Sequence, residues 1–360
     1  MLGNRKLIVD THCEIYSMIK DHADDIFWNL KQHIEKNQVV PGAIYVIGRE
    51  QFRLNVDGIR RLIDTTDLKI IFSNPTEGSD TVRGQIFMYG VKDLCLNRKM
   101  IIIGGGDMDD LYPCLQYDSF LPKILDYDEN LKAAEEYKEL YSTNRPYKFL
   151  FLNGRARPHR TELILKLNDI LDQSIWTNLD NSNGFPIRLL DKKYEYDHVV
   201  KNISLDSGFV KHKLFDNKWG DVYVKANLYL DTYFSVVTET VFEYPYSFRT
   251  EKIWKPIVVG HPFIAVANCG YYRDLHNLGF KTFGHVIDES FDQIENNQDR
   301  LTRISEVVRD LCQQDLASFL AECYNVCKYN QQHLAEMRLQ VRQEFPDRFF
   351  NFLKKYQFNE

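Results

Sequence analysis

Three arginines and a histidine crowd one turn of the chain, in FLFLNGRARPHRTELILKL at residues 149–167. An apolar run ends at Asn153, a Gly/Pro turn follows, and an amphipathic stretch begins. The pattern predicts strand, turn and helix, with Arg155, Arg157, His159 and Arg160 gathered where the helix starts. A helix N-terminus carries partial positive charge and free N–H groups, so it suits a phosphate. Cations oppose that dipole unless an anion offsets them, and guanidinium forks match phosphate oxygens in pairs. Anion binding is the functional reading, and a solvated basic loop is the alternative.

A second constellation lies in FSVVTETVFEYPYSFRTEKIWKPIVVGHPFIAV, residues 234–266. A strand is expected to end at Thr238-Glu239-Thr240, with an aromatic loop and then a helix over 251–259. Thr250 fits the N-cap, and Gly260 fits the C′ position before Pro262. Lys252 then lies in the first helical turn, pointing to the same side as the arginines. Glu251 is placed to bind ribose hydroxyls, and Glu239 to hold a hydroxyl or position the lysine. Ordinary capping, with Lys252 in solvent, is the alternative.

In the first half, LKIIFSNPTEGSD (68–80) predicts a buried strand, an Asn-Pro turn and then Glu77. A carboxylate so placed can serve as the general base beside an acceptor hydroxyl; a solvent-exposed turn acid is the alternative. Further candidates for that role are Asp10 and His12 in VDTHCE, and Asp107, Asp109 and Asp110 in IIIGGGDMDD. The glycines of the last motif follow a strand, yet neither GxGxxG nor GK[ST] is present. They are read as a tight turn or a close backbone approach to substrate. Its DxD is the kind of motif a metal-dependent transferase uses, but no metal is expected here, because the donor-like basic elements lie far downstream.

The elements that must position these groups follow an α/β rhythm. Strands are expected at 6–10, 43–48, 68–73 and 99–105, with helices at 23–36 and 51–64. A charged helical connector (126–143) precedes a second sheet, with strands at 147–153, 221–230, 233–240 and 261–267. Helices are expected at 161–172 and 251–259, an irregular polar region lies around 173–220, and residues 294–356 read as largely helical. The expected organisation is an N-terminal acceptor-side domain at 1–143, a donor-binding domain at 144–335 and a C-terminal helical segment at 336–360. Two Rossmann-like α/β domains facing across a cleft is the simplest such architecture.

The order strand–Asn–turn–Arg–helix, strand–Glu, T-E-K-helix and G-x-P-strand resembles the donor-binding half of the α-1,3-fucosyltransferase family. Asn153 and Arg160 match its first motif with one extra residue between them; Thr250, Glu251, Lys252, Gly260 and Pro262 match its last. Where the family has F-E-N, this chain has V-T-E-T, so Glu239 matches only the central acid. The resemblance covers about a third of the chain. It implies a GT-B fold, with Arg160 and Lys252 on the donor diphosphate, Glu251 on the nucleotide, and a glutamate base that Glu77 resembles in location. The function it implies is metal-independent, inverting transfer of a sugar from a nucleoside-diphosphate sugar, with no cofactor, to a glycan or other hydroxyl acceptor. A viral-type transferase acting on hydroxymethylated DNA bases keeps the same fold. A non-catalytic nucleotide-binding module is a third reading.

Composition narrows the partners. The chain has 45 Lys and Arg against 51 Asp and Glu, a net charge of −6, so no global basic field draws it to nucleic acid. A local groove formed by LNRKM (96–100) with Arg60-Arg61 is the remaining DNA candidate. No run approaches the roughly 20 apolar residues of a membrane span, and the N-terminal run reads as a first strand and not a signal peptide, so a cytoplasmic location is the default expectation. Seven cysteines without a CxxC pair argue against a disulfide framework or a zinc site. Cys323 and Cys327 are expected to share the buried face of a helix.

Overall fold

The computed structural model describes residues 5–106, 112–126, 128–139, 144–188, 190, 204–206, 209–211, 224 and 226–358. The chain is α/β and divides into two compact units, Met1–Ser119 with Arg338–Glu360, and Phe120–Met337.

The first unit contains β1 (Leu7–Asp10), α1 (Tyr16–Ile19), β2 (Asp25–Phe27), α2 (Leu30–Glu35), β3 (Ile44–Gly48) and α3 (Arg49–Leu54). It continues with α4 (Val56–Thr66), β4 (Lys69–Asn74), α5 (Ser79–Met88), α6 (Lys92–Leu96), β5 (Met100–Gly104) and β6 (Cys114–Gln116). The strands form one parallel sheet in the order β2-β1-β3-β4-β5-β6. Successive residues along a strand face opposite sides, and here both sides are apolar. Ile8, Tyr45, Ile47, Ile70, Phe72 and Ile102 enter one core, while Leu7, Val9, Ile44, Val46, Ile71 and Ile101 enter the other. Burial on both faces explains why these strands read as unbroken apolar runs.

The second unit opens with α7 (Phe120–Ile124), α8 (Asp128–Glu139), β7 (Tyr147–Asn153), α9 (Pro158–Lys166) and β8 (Ser174–Asn178). A two-stranded antiparallel pair, β9 (Ser204–Asp206) and β10 (Phe209–Lys211), follows. Then come α10 (Ala226–Leu230), β11 (Thr232–Thr238), α11 (Glu251–Val259), β12 (Phe263–Val266), α12 (Tyr271–Asn277) and α13 (Asn297–Cys312). The last helix, α14 (Leu316–Lys355), begins in this unit and ends in the first. The four main strands are parallel, in the order β12-β11-β7-β8.

Several expectations are corrected. The division falls at residue 119 and not 143, because α8 is part of the second core: Tyr137 is buried there with its ring against His261, and the Arg145 guanidinium lies 4.8 Å from the Tyr137 ring centroid. The segment 336–360 is not separate, since Phe345, Phe349, Leu353 and Phe358 fill one core of the first unit. The helix expected at 23–36 is strand β2 followed by α2, which starts only where the Asn29 side chain accepts the Gln32 N–H at 3.0 Å. Residues 226–230, expected in a strand, form α10; Asp231 N–H closes its end on the Asn227 carbonyl. The helix expected at 161–172 starts earlier, at Pro158, which places Arg160 inside the first turn. Cys323 and Cys327 are buried free thiols. Among the described residues, no helix is long and apolar enough to cross a membrane.

One glycine locks the first sheet. A Cβ on Gly48 would lie 3.1 Å from Asp10 Oδ2 and 3.2 Å from Cys13 Cα, although its φ of −71° suits any residue. Space, not backbone conformation, demands glycine. Gly48→Ala is therefore expected to destabilise the protein by about 1–3 kcal/mol, as overpacking does, read from chemical denaturation midpoints.

Candidate functional site

In an open parallel sheet, ligands bind beyond the carboxyl ends of the strands, where neighbouring strands send their connections in opposite directions. Taken in chain order, both sheets run second–first–third–fourth from one edge, so the crossover lies between β1 and β3 in the first unit and between β7 and β11 in the second.

At the β7/β11 crossover, Asn153 ends one strand and Thr238 the other. The Thr238 hydroxyl donates to Asn153 Oδ1 at 2.9 Å, while Asn153 Nδ2 is buried without a partner. Glu239 follows, with no exposed surface. Its Oε1 accepts from Thr250 N and the Tyr271 hydroxyl, both at 3.1 Å; its Oε2 accepts from the Thr250 hydroxyl at 2.7 Å and Thr240 N at 3.3 Å. Thr250 is the N-cap of α11, and its hydroxyl also accepts from Lys252 Nζ at 3.0 Å. Glu239 is thus a buried brace beneath Thr250, whose hydroxyl in turn holds the Lys252 ammonium.

Lys252 Nζ also donates to Glu251 Oε1 at 2.8 Å. Burial would push the Glu251 carboxyl up, but Lys252 and Lys255 beside it bring it below the usual value. Gly260 ends α11 with φ of 84°, in the C′ role expected for it.

The three arginines separate. Arg160 is 3% exposed, and its terminal nitrogens donate to the carbonyls of Arg155 (3.0 Å), Thr238 (2.9 Å) and Glu239 (3.2 Å). Burial, and Arg157 nearby, pull its pKa down to about 10, so it remains charged at neutral pH. It ties the turn after β7 to the end of β11 and keeps only its buried Nε–H and one Nη1 hydrogen uncommitted. Arg157, at the N-cap of α9, makes no side-chain hydrogen bond or ion pair among the described residues. Arg155 is exposed. Of the three, Arg157 is the cation best available to a ligand, a distinction the sequence does not carry.

Two residues that the sequence reading passed over complete the edge. Tyr271 braces Glu239, and Asp180 Oδ2 accepts the Ala156 N–H at 2.9 Å, taking one backbone donor of the turn. Asp180 belongs to an Asn/Asp-rich turn, a legible local signal, but nothing local links it to residue 156. His159 is fixed: its Nε2 lies 3.0 Å from the Glu239 carbonyl, and its ring stacks on Phe242.

Burial lowers the pKa of both His159 and His261 to about 3. A histidine depressed in the folded state contributes stability that is complete above its unfolded value near 6.5 and lost as pH falls toward 3. Each is expected to cost up to about 1.4 kcal/mol per pH unit in that window. Glu289, raised to about 7 by burial, acts oppositely between its unfolded value near 4.5 and 7, so the decline is steepest below about pH 4.5. Thermal unfolding across pH 3–7 reads this out, and a melting temperature that does not fall on acidification contradicts it.

At the β1/β3 crossover, the Asp10 carboxylate accepts His12 N at 2.9 Å and Gly48 N at 3.0 Å. Burial holds its pKa above the usual range, with those two amides and the imidazole of His12 countering. Glu77 Oε1 is engaged by Arg49 Nη1 at 3.0 Å, and the Glu77 carbonyl accepts Gly105 N–H. Asp107, Asp109 and Asp110 lie outside the described residues. In the groove considered for DNA, Arg60 is paired with Asp93 and Lys99 with Asp67, while Arg61 and Arg98 are exposed without an ion pair among the described residues.

Comparison with known protein families, curated proteins and solved structures gives no match for this chain.

Proposed function

We propose that the protein is a glycosyltransferase of GT-B type, which binds a nucleoside-diphosphate sugar at the carboxyl edge of the second sheet and transfers the sugar to a hydroxyl with inversion. The observation that carries this reading is Arg157, a cation without a partner among the described residues, at the N-terminus of α9 and in the same crossover as Arg160 and the Lys252 of α11. The helix termini and these side chains supply the positive charge that a departing diphosphate requires, without need of a metal ion. The Glu251 carboxylate accepts a ribose hydroxyl. Asn153 Nδ2, buried and unpartnered, is a further donor toward the same ligand.

A panel of nucleotide sugars (UDP-glucose, UDP-N-acetylglucosamine, GDP-mannose, GDP-fucose, dTDP-glucose) tests the chemistry. Release of free nucleoside diphosphate from one of them, measured by chromatography, is the expected outcome. Binding without release would show a nucleotide-binding module and not an enzyme.

A further inference from the structure

We propose that His276, Thr282 and Glu289 form a proton relay, through which a buried carboxyl exchanges its proton with solvent and the loop after α12 responds to pH. All three residues lie in the second unit, and the inference does not depend on what that unit binds. His276 is exposed in the last turn of α12. Its Nε2 lies 2.9 Å from the Thr282 hydroxyl, which donates in turn to Glu289 Oε2 at 2.7 Å. The other carboxylate oxygen, Oε1, accepts the Phe283 N–H at 2.7 Å. His276 Nδ1 has no partner among the described residues.

The surroundings hold this chain of groups in place. Val286 N–H and Ile287 N–H both close on the Phe283 carbonyl, at 2.9 and 2.8 Å, so a turn carries the backbone from Thr282 back to Glu289. A Cβ on Gly284 would lie 3.1 Å from Glu289 Oε2, which keeps a larger residue out of that space. Asp292 accepts Tyr272 N–H at 2.9 Å and Arg273 N–H at 3.3 Å, and so fixes the start of the helix that carries His276. No cation is dedicated to Glu289: its neighbour Asp288 takes Arg303, which Glu306 also engages. Burial raises the Glu289 carboxyl to about 7; the hydrogen bonds from Thr282 and Phe283 oppose the rise, Asp292 adds to it, and His285 counters it. Tyr272, pushed well above its usual range by burial and by Glu289, stays neutral.

Two proton arrangements leave every group satisfied. With Glu289 protonated, its O–H donates to Thr282 Oγ, the Thr282 O–H donates to His276 Nε2, and the imidazole proton sits on Nδ1. When the Glu289 proton passes to Thr282 Oγ, the Thr282 proton passes to Nε2 and the Nδ1 proton leaves to water. The carboxylate then accepts from Thr282, and Thr282 accepts from Nε2–H. One proton has left a buried site without the core opening, and it leaves from an exposed nitrogen.

The full chain labelled with ¹⁵N-histidine tests this by long-range ¹H–¹⁵N correlations. At pH 8, neutral His276 should carry its proton on Nε2. Glu289→Gln should move it to Nδ1 at the same pH, because the amide carbonyl must accept the Phe283 N–H and its NH2 must face Thr282. Between pH 6 and pH 8, the wild type should pass from the Nδ1–H to the Nε2–H form, and Thr282→Val should abolish that passage. Stability gives an independent measure. A carboxyl raised in the folded state contributes stability that is lost as pH rises from its unfolded value near 4.5 to about 7. Glu289→Gln lacks that loss, so its melting temperature should gain about 5–10 °C on that of the wild type between pH 5 and pH 8. One His276 tautomer in wild type and Glu289→Gln alike, a passage that survives Thr282→Val, or a melting difference that does not change with pH overturns the relay.

Discussion

Glu239→Ala is expected to lower stability by about 3–5 kcal/mol, the range for stripping a buried charge from its partners, and to depress the melting temperature of a unit this size by about 6–20 °C. Four donors converge on that carboxylate: Thr240 N, Thr250 N, the Thr250 hydroxyl and the Tyr271 hydroxyl. Removing it leaves buried donors without acceptors, each a cost of about 1–3 kcal/mol. The N-cap of α11 loosens in consequence, and Lys252 loses its anchor on Thr250. Diphosphate binding should therefore weaken along with stability. Glu239→Gln keeps the shape but turns an NH2 toward donors, so it should recover only part of the loss. Differential scanning calorimetry of the three proteins checks the order, and an alanine variant as stable as the wild type contradicts the brace.

The arginines supply the second large effect. Arg160→Ala removes the donor for three carbonyls and leaves a cavity, so it should cost about 3 kcal/mol or more of stability. Arg157→Ala disturbs no hydrogen bond and should leave the unfolding midpoint nearly unchanged. Its effect belongs to binding: loss of a charge-assisted contact worth about 1.5–3 kcal/mol weakens a nucleoside diphosphate by roughly 10- to 150-fold. Calorimetric titration paired with denaturation separates the two. If Arg157→Ala unfolds the protein and Arg160→Ala does not, their assigned roles are reversed.

How far the sequence foretold this depends on where each signal resides. The strands β1, β3, β4, β5, β7 and β12 announced themselves as apolar runs, because a parallel sheet buried on both faces leaves little room for polar residues. Strands β2 and β6 have only three residues each, and β8 reads SIWTN, polar at three of its five positions, so none gives such a run. Helix α11 was legible at both ends, since Thr250 and Gly260 are local signals. The cations at the starts of α9 and α11 were legible too, since strand ends and helix starts locate them. Which arginine is buried was not. Arg160 owes its burial to the carbonyls of Thr238 and Glu239, 78 and 79 residues away in the chain. The fucosyltransferase-like pattern pointed to Arg160 as the phosphate ligand; in the structure Arg160 donates to three backbone carbonyls, while Arg157 makes no side-chain hydrogen bond among the described residues. In the first unit the glutamate favoured by analogy is paired with Arg49, while His12 stands at the crossover because β1 and β3 are neighbours, a fact of topology that no local motif contains.

The most direct test is the melting temperature of the wild-type protein and of Arg157→Ala with UDP, GDP, ADP, CDP and dTDP, each compared with its nucleoside. A ligand at 100 times its Kd adds about 2.7 kcal/mol of stability, which for a unit this size raises the melting temperature by about 5–10 °C. The account predicts that at least one diphosphate gives such a rise, that its nucleoside gives little, and that Arg157→Ala loses most of it. No stabilisation by any of the five, or an equal rise in Arg157→Ala, contradicts a diphosphate site at the carboxyl edge of the second sheet.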